Sequence, residues 1–108
     1  MSSLSCHILD TTQGTPASGI AVELIKFDTR DTIIKGETNE DGRVRFESTE
    51  LVCGDYTLRF LTKPYCEQTY GCAFFPLVEV HFHVDEEARH YHVPLLLSPY
   101  SYSTYRGS

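Results

Sequence analysis

The chain has 108 residues, of which 41% are hydrophobic and 22% charged, the size and balance of one ordinary folded domain. A formal net charge of -6 makes nucleic acids and acidic membrane surfaces poor partners, because both would repel the chain. The first residues contain no basic segment followed by an apolar run, and no apolar stretch is long enough to span a membrane. We therefore expect a single domain over residues 1–108, without an export signal and without nucleic-acid or membrane partners.

Short segments rich in β-branched and aromatic residues, separated by turn signals, predict an all-β chain. The first strand, about residues 4–9, ends at TTQGTPASG, a loop with two glycines and a proline. The second, 20–27, has the side-chain alternation of a strand. A third, 32–37, leads into TNEDGR, which predicts a tight turn because Asp-Gly supplies positive backbone angles. A short fourth strand, VRFE, follows.

The second half of the chain continues this pattern with one interruption. A fifth strand, 56–61, precedes TKPYCEQTYG, where Pro64 suits a first helical turn and Gly71 a stop, so this segment predicts one short helix. Three more strands are predicted at 77–84, 90–97 and 101–105. Eight strands and one helix indicate a two-sheet β-sandwich, and its sheet edges favour association between copies.

The four cysteines, Cys6, Cys53, Cys66 and Cys72, have no C-x-x-C spacing. In a chain without an export signal, we expect them to be reduced thiols. The alternative is a Cys66–Cys72 bridge in an oxidising compartment.

Five histidines are the side chains that titrate nearest to neutral pH. His81 with His83, and His90 with His92, form two H-x-H pairs, and in a strand each pair points to one face of the sheet. Such pairs can bind zinc or copper, but no further ligand stands at a recognisable spacing. We therefore predict no metal site and expect His81 and His83 to face solvent. Taken alone, His7 and His92 are expected to be half-buried strand residues.

Arg43, at the end of TNEDGR, and Arg106, near the end of the chain, have two interpretations. By default both are solvated. Alternatively, each guanidinium offers a planar set of donors that matches two acceptors on a heterocycle or carboxylate.

Three blocks of sequence, read together, identify a family. They are LSCHILDTTQGTPASGIAVEL, TNEDGR and HYHVPLLLSPYSYSTYRGS. With these blocks the chain resembles the transthyretin family over about residues 4–108, and within that family its 5-hydroxyisourate hydrolases. The hormone-carrying transthyretins share SPYSYST but lack the terminal YRGS and the catalytic histidine and arginine set, so the resemblance favours the hydrolases.

The hydrolase pattern, transferred position by position, implies a site built from distant parts of the chain. The implied catalytic residues are His7, Arg43, His92 and Ser108. One of the two histidines would take a proton from water, and the sequence leaves open which one. Arg43 would bind ring oxygens and stabilise charge on the attacked carbonyl. Ser108 would orient the water or pass a proton to the leaving nitrogen.

The C-terminal YRGS supplies the rest of the implied site. Tyr105 and Arg106 join His7 and Arg43 as the implied substrate-binding residues. Arg106 is also expected to hold the tail through an ion pair, and Gly107 to supply a bend that turns the last residue inward.

The implied reaction is the hydrolytic ring opening of 5-hydroxyisourate, in urate degradation, to 2-oxo-4-hydroxy-4-carboxy-5-ureidoimidazoline. It would need neither a metal nor an organic cofactor. The resemblance also implies a homotetramer, a dimer of dimers with sites where subunits meet. Relatives are found in cytosol, peroxisome and periplasm, and because the sequence shows neither a signal peptide nor a terminal S-K-L we expect the cytosol, with the peroxisome left open. The main alternative is a non-enzymatic carrier of a small ligand, of the transthyretin type. A metal-binding protein using the paired histidines is a third alternative.

Overall fold

Two β-sheets face each other in the computed structural model, which describes residues 3–46, 51–85 and 89–107. The described residues form nine strands and one helix. In chain order they are β1 (Ser3–Asp10), β2 (Thr15–Pro16), β3 (Ala21–Lys26), β4 (Thr32–Glu37), β5 (Arg43–Phe46), β6 (Gly54–Leu61), α1 (Lys63–Tyr70), β7 (Val78–Val84), β8 (His90–Leu97) and β9 (Tyr102–Thr104). The predicted all-β sandwich with one short helix is confirmed.

The strand absent from the sequence prediction is β2, which lies in the TTQGTPASG loop and pairs with the end of β1. Two residues are too few to show the alternation of apolar and polar side chains by which a strand is recognised in a sequence. The last strand is also shorter than the predicted 101–105. It pairs with β8 only up to the contact between Leu95 and Thr104, next to Pro94. Because proline has no N–H to donate, a ladder weakens at such a position.

The first sheet is arranged around β1. On one side β1 pairs in parallel with β8, and β9 continues the sheet beyond β8. On its other side β1 pairs antiparallel with β5 and then with β2. This parallel pairing joins the beginning of the described chain to a strand near its end.

The second sheet has the order β4-β3-β6-β7, with every pairing antiparallel. The two sheets bury their inner faces against each other, because alternate side chains on the long strands β1, β3, β6 and β8 are apolar and point inward. The buried side chains of this core include Leu4, Cys6, Ile8, Val22, Leu24, Leu58, Phe60, Val78, Val93 and Leu95.

The helix α1 is where the sequence predicted it. Pro64 lies in its first turn, and Gly71 ends it in a left-handed conformation with φ of 84°. Tyr65 fastens the helix to the end of β1 by donating a hydrogen bond of 2.8 Å to Oδ2 of the buried Asp10. Burial works to raise the pKa of Asp10, but this bond and backbone N–H donors, Gln13 foremost, outweigh it and lower the pKa. The helix is too short to span a membrane, and the described part of the chain contains no other.

All four cysteines are free, so the Cys66–Cys72 bridge is not formed. Cys6 and Cys66 are buried, whereas Cys53 and Cys72 are exposed. Burial raises the pKa of the Cys6 thiol to about 12, which makes it a poor nucleophile. Although Cys6 precedes His7 in the chain, its side chain is in the core.

Candidate active site

The outer face of the first sheet presents polar side chains at the positions between its core residues. On β1, Leu4, Cys6 and Ile8 point into the core, so Ser5 and His7 point outward. The same alternation on β8 turns His90 and His92 outward. The candidate site therefore lies on the side of the sheet that the core does not cover.

His7 and Arg43 are direct neighbours across the pairing of β1 with β5. The turn before Arg43 fixes its place, because Asn39 Oδ1 accepts hydrogen bonds from the N–H groups of Asp41 and Arg43 at 2.9 and 3.0 Å. Gly42 completes the turn with φ of 71°, and a Cβ there would lie 2.5 Å from the carbonyl oxygen of residue 8. TNEDGR is thus a turn that places one exposed guanidinium beside one half-buried imidazole.

His92 lies between β1 and the C-terminal segment. The parallel register puts Ser5 opposite His92, and Ser5 Oγ lies 2.7 Å from His92 Nδ1. On the other side, the Gly107 N–H donates a 2.8 Å hydrogen bond to the His92 carbonyl. A Cβ on Gly107 would lie 2.5 Å from His92 Cδ2. The imidazole is held between a hydroxyl and a glycine, which leaves Nε2 as its second nitrogen.

The electrostatic surroundings keep both imidazoles neutral. Burial, followed by the positive charge of Arg43 and by repulsion between His92 and the protonated forms of His7 and His90, lowers the pKa of His92. Burial and Arg43 likewise lower the pKa of His7, against a smaller opposing effect of Asp41. Arg43 therefore acts on both histidines, so the structure brings these three predicted residues together. A neutral imidazole can accept a proton from water at neutral pH.

The C-terminal segment differs from one expectation. The guanidinium of Arg106 lies over the Tyr91 ring, 5.4 Å from its centroid, so within residues 3–46, 51–85 and 89–107 its contact is a cation–π interaction and not the expected ion pair. Gly107 lacks a positive φ, and the inward turn of the last residue that it was expected to allow stays a prediction. Glycine suits this position because the backbone of residue 107 approaches the His92 ring closely. Tyr105 is 58% exposed. Ser108 lies outside the described residues.

Two hollows flank the row of candidate residues. One, of about 300 Å³, is lined by His92, Tyr105 and Arg106 together with residues of β7. The other, of about 250 Å³, is lined by Ser5, Arg43 and residues around them. The first hollow is bordered by β7, β8 and the C-terminal segment, and the second by β1, β5 and the turn before β5. A flat heterocycle needs a space of this order.

Ser5 and His90 were not among the residues predicted for the site. Ser5 Oγ lies 2.8 Å from His90 Nε2 as well as 2.7 Å from His92 Nδ1, and Ser5 is only 6% exposed. The spacing of Ser5 two residues before His7 signals that both share a face of β1. What the sequence does not reveal is the register that places β8 beside them.

His81 and His83 are exposed on β7 of the second sheet, as expected. His81 Nδ1 lies 2.7 Å from Thr57 Oγ1, and His83 Nδ1 lies 2.8 Å from Asp55 Oδ1. Within residues 3–46, 51–85 and 89–107, no group of three or more His, Cys, Asp or Glu side chains is placed to hold a metal ion.

Comparison with known proteins gives concordant matches. The family model described as the HIUase/transthyretin family, where HIUase stands for hydroxyisourate hydrolase, matches residues 4–107. A 5-hydroxyisourate hydrolase of Salmonella dublin is 47% identical over 109 residues, covering 97% of this chain and 80% of the relative. The solved structure of the Klebsiella pneumoniae 5-hydroxyisourate hydrolase is 37% identical with a TM-score of 0.90, covering 100% of both chains.

The fold is also shared with a carrier-type structure. Sea bream transthyretin in complex with thyroxine is 34% identical with a TM-score of 0.88, covering 96% of this chain and 93% of that one. Full-length coverage by the family model and by a relative well above 30% identity leads to one conclusion: the chain belongs to the HIUase/transthyretin family.

Proposed function

We propose that this protein hydrolyses 5-hydroxyisourate, opening its six-membered ring by adding water across an acyl C–N bond. The observation that carries the proposal is the placement of His7, Arg43 and His92 on one uncovered sheet face, with two imidazoles kept neutral beside a cation. The similarity to named 5-hydroxyisourate hydrolases over nearly the whole chain agrees with it.

The carrier alternative shares the fold, so the fold does not distinguish the two functions. The residues of the site do distinguish them. A carrier of a mainly apolar ligand gains little from two desolvated imidazoles next to an arginine, because an apolar ligand offers these groups no hydrogen bond in exchange for the hydration they lose. Water activation, in contrast, needs a neutral base and a nearby cation.

In the proposed mechanism, His92 is the general base. Its Nδ1 contacts Ser5 Oγ, so Nε2 is the ring nitrogen that would take the proton from a water molecule beside the substrate. Water is a poor nucleophile at neutral pH, and removal of its proton by a positioned base contributes about 10²–10⁴ in rate. His7 would contact the ring and assist proton transfer to the leaving nitrogen.

Arg43 would bind the oxygens of the ring and stabilise the negative charge that develops on the attacked carbonyl. One well-placed donor of this kind contributes about 3–4 kcal/mol to transition-state stabilisation. Its second effect is on the histidines, whose pKa values it helps to lower. The route uses no metal ion and no organic cofactor.

Tyr105 and Arg106 would complete the substrate pocket. Both line the larger hollow beside His92. The backbone bond of Gly107 to His92 supports a fixed C-terminal segment. The proposed role of Ser108, to orient water or protonate the leaving nitrogen, rests on the family resemblance.

The proposal includes a homotetramer, a dimer of dimers, with sites at subunit contacts. It is supported by an exposed series of ring contacts in which Phe74, 64% exposed, touches Phe75 and Tyr100, and Phe75 touches Tyr102. Exposed aromatic groups of this kind mark contact surfaces. Sedimentation equilibrium should give four chains per particle.

The free thiols favour a reducing compartment, and we propose the cytosol.

The test is ultraviolet kinetics on freshly generated 5-hydroxyisourate with His7→Ala, Arg43→Ala and His92→Ala. We expect kcat/KM to fall by about 10²–10⁴ for each histidine variant and about 10²–10³ for the arginine variant. Lys35→Ala, which removes an exposed cation from the second sheet, is the control and should behave like the unmodified protein. Near-normal turnover in all three site variants would refute the assignment.

A further inference from the structure

Four hydrogen-bonded side chains run along the outer face of the first sheet and end at His92. Ser3 Oγ lies 2.6 Å from His90 Nδ1, and His90 Nε2 lies 2.8 Å from Ser5 Oγ. Ser5 Oγ in turn lies 2.7 Å from His92 Nδ1. His90 is exposed, whereas Ser5 is almost completely buried. This hydrogen-bond chain connects the proposed base to solvent through a single shielded hydroxyl.

Proton counting at Ser5 couples the two histidines. A hydroxyl has one hydrogen, and this one contacts two ring nitrogens, so it donates to one of them and accepts from the other. If His92 Nδ1–H donates to Ser5, then Ser5 donates to His90 Nε2, and His92 Nε2 is free to accept a proton. In the reverse arrangement, His90 Nε2–H donates to Ser5, Ser5 donates to His92 Nδ1, and a neutral His92 carries its proton on Nε2.

We propose that Ser5 and His90 are positioning residues that set the tautomer of His92 and carry its proton outward and back during turnover. The inference rests on the proposed function. When water transfers a proton to His92 Nε2, the His92 Nδ1 proton moves to Ser5 Oγ and the Ser5 proton moves to His90 Nε2. His92 is then neutral and holds a proton on Nε2, and the positive charge lies on His90. When that Nε2 proton goes to the leaving nitrogen, the two transfers reverse and all groups return to their starting state.

The surroundings of His92 explain why such a path would help. Among the described residues, the groups whose charge acts on the His92 ring are Arg43 from β5, His7 from β1 and His90 from β8. The charged and titratable groups that share a hollow with it are His81 and His83 from β7, Tyr91 from β8, and Tyr105 and Arg106 from the C-terminal segment. Burial and Arg43 make a positive charge on the His92 ring unfavourable, as its lowered pKa shows. Transfer of the charge to the exposed His90 places it in a medium of higher dielectric constant, where it costs less.

Ser5→Ala removes the shared hydroxyl and tests the proposal. We expect kcat to fall about 10- to 100-fold, a fraction of the about 10²–10⁴ of general acid–base catalysis, with KM changed less than about threefold. Ser5→Thr keeps the hydroxyl and should restore kcat. Nitrogen-15 NMR of the imidazoles needs no turnover, and it should show that Ser5→Ala shifts the His92 ring nitrogens and separates the titrations of His90 and His92. If Ser5→Ala folds poorly, the exposed variant His90→Gln should likewise lower kcat and shift the His92 ring nitrogens in the same direction.

Thr57→Val is the matched control, because Thr57 Oγ1 makes the same hydroxyl–imidazole contact with His81 on the second sheet. It should leave kcat and the His92 signals unchanged. Unchanged kcat in Ser5→Ala and His90→Gln would overturn the proposal, as would a lower kcat with unaltered ring-nitrogen signals, which indicates a structural role. Absence of turnover in the unmodified protein would instead refute the proposed function, and the NMR titrations would then decide whether Ser5 couples the two rings.

Discussion

Both sheets present charged side chains on their outer faces, but they arrange them in opposite ways. On the second sheet, Arg59 contacts Glu23 at 3.2 Å and Glu79 at 3.0 Å, and Arg30 contacts Glu79 at 2.6 Å. On the first sheet, Arg43 lies beside imidazoles. One face thus neutralises its charges in pairs, and the other places a cation next to bases.

The pKa shifts on the two faces have the same sign but opposite effects on charge, because they favour the ionised form of Glu79 and the neutral form of the histidines. Arg30, with Arg59, lowers the pKa of Glu79, which favours the ionised form already present at neutral pH and adds stability that is lost as pH falls through that pKa. Burial and Arg43 lower the pKa values of His7 and His92 below 6.5. The folded state then resists their protonation, so stability falls as the pH drops below 6.5. The ion pairs on the second sheet therefore contribute to stability, whereas the arginine beside neutral imidazoles on the first sheet is an arrangement suited to catalysis.

The largest effect should come from placing a carboxylate beside the histidines of the first sheet, so that opposite charges pair there as they do on the second sheet. In Arg43→Glu, kcat/KM should fall by about 10³, since about 3–4 kcal/mol of transition-state stabilisation is lost. The pKa values of His7 and His92 should rise, because a carboxylate favours the imidazolium, and the acidic limb of the pH–rate profile should move to higher pH. NMR titration and rate profiles measure both. Unmoved histidine pKa values would contradict the electrostatic role of Arg43.

A smaller effect should follow from loosening His92 without changing any charge. In Gly107→Ala the new Cβ would meet the imidazole, so the ring or the segment must move. We expect kcat to fall about 10- to 100-fold, because a misplacement of about 1 Å can cost about 10²-fold. Gly14→Ala is the control, since no atom lies within 4 Å of its Cβ position. It should lower stability through its positive φ while leaving kcat intact.

The smallest effect belongs to the second face. Arg59→Gln should lower the free energy of unfolding by about 1–3 kcal/mol, because two partly buried carboxylates lose a charged donor. Turnover should not change. Lys35→Ala breaks an exposed pair at 3.8 Å and should cost less than about 0.5 kcal/mol in denaturant melts. Equal losses of unfolding free energy in the two variants would mean that the Arg59 network stabilises the fold no more than the Lys35 pair does.

Local pattern was enough to predict most of the fold. Alternation and turn chemistry located the main strands, and Pro64 with Gly71 located the helix, because these signals act within a few residues. The two-residue strand β2 lacks such a signal. The shortening of β9 depends on Pro94 in a neighbouring strand, which no window around residues 101–105 contains.

The site was predicted only in part, for a related reason. His7, Arg43 and His92 were identified through the resemblance, and the structure places them together. Ser5 and the tight packing of Gly107 depend on register between distant strands, a tertiary property. Arg106 was expected to find a carboxylate, and the nearer partner is an aromatic ring, Tyr91.

The parallel pairing of β1 with β8 has a consequence for synthesis on the ribosome. Ser3 and His90, at the start of that pairing, are 87 positions apart. Chains emerge N-terminus first, and contacts of such separation form slowly. One edge of β1 therefore waits without its partner until β8, residues 90–97, has been made. A nascent chain that stops before residue 90 has no means of assembling the sheet face that carries the candidate site.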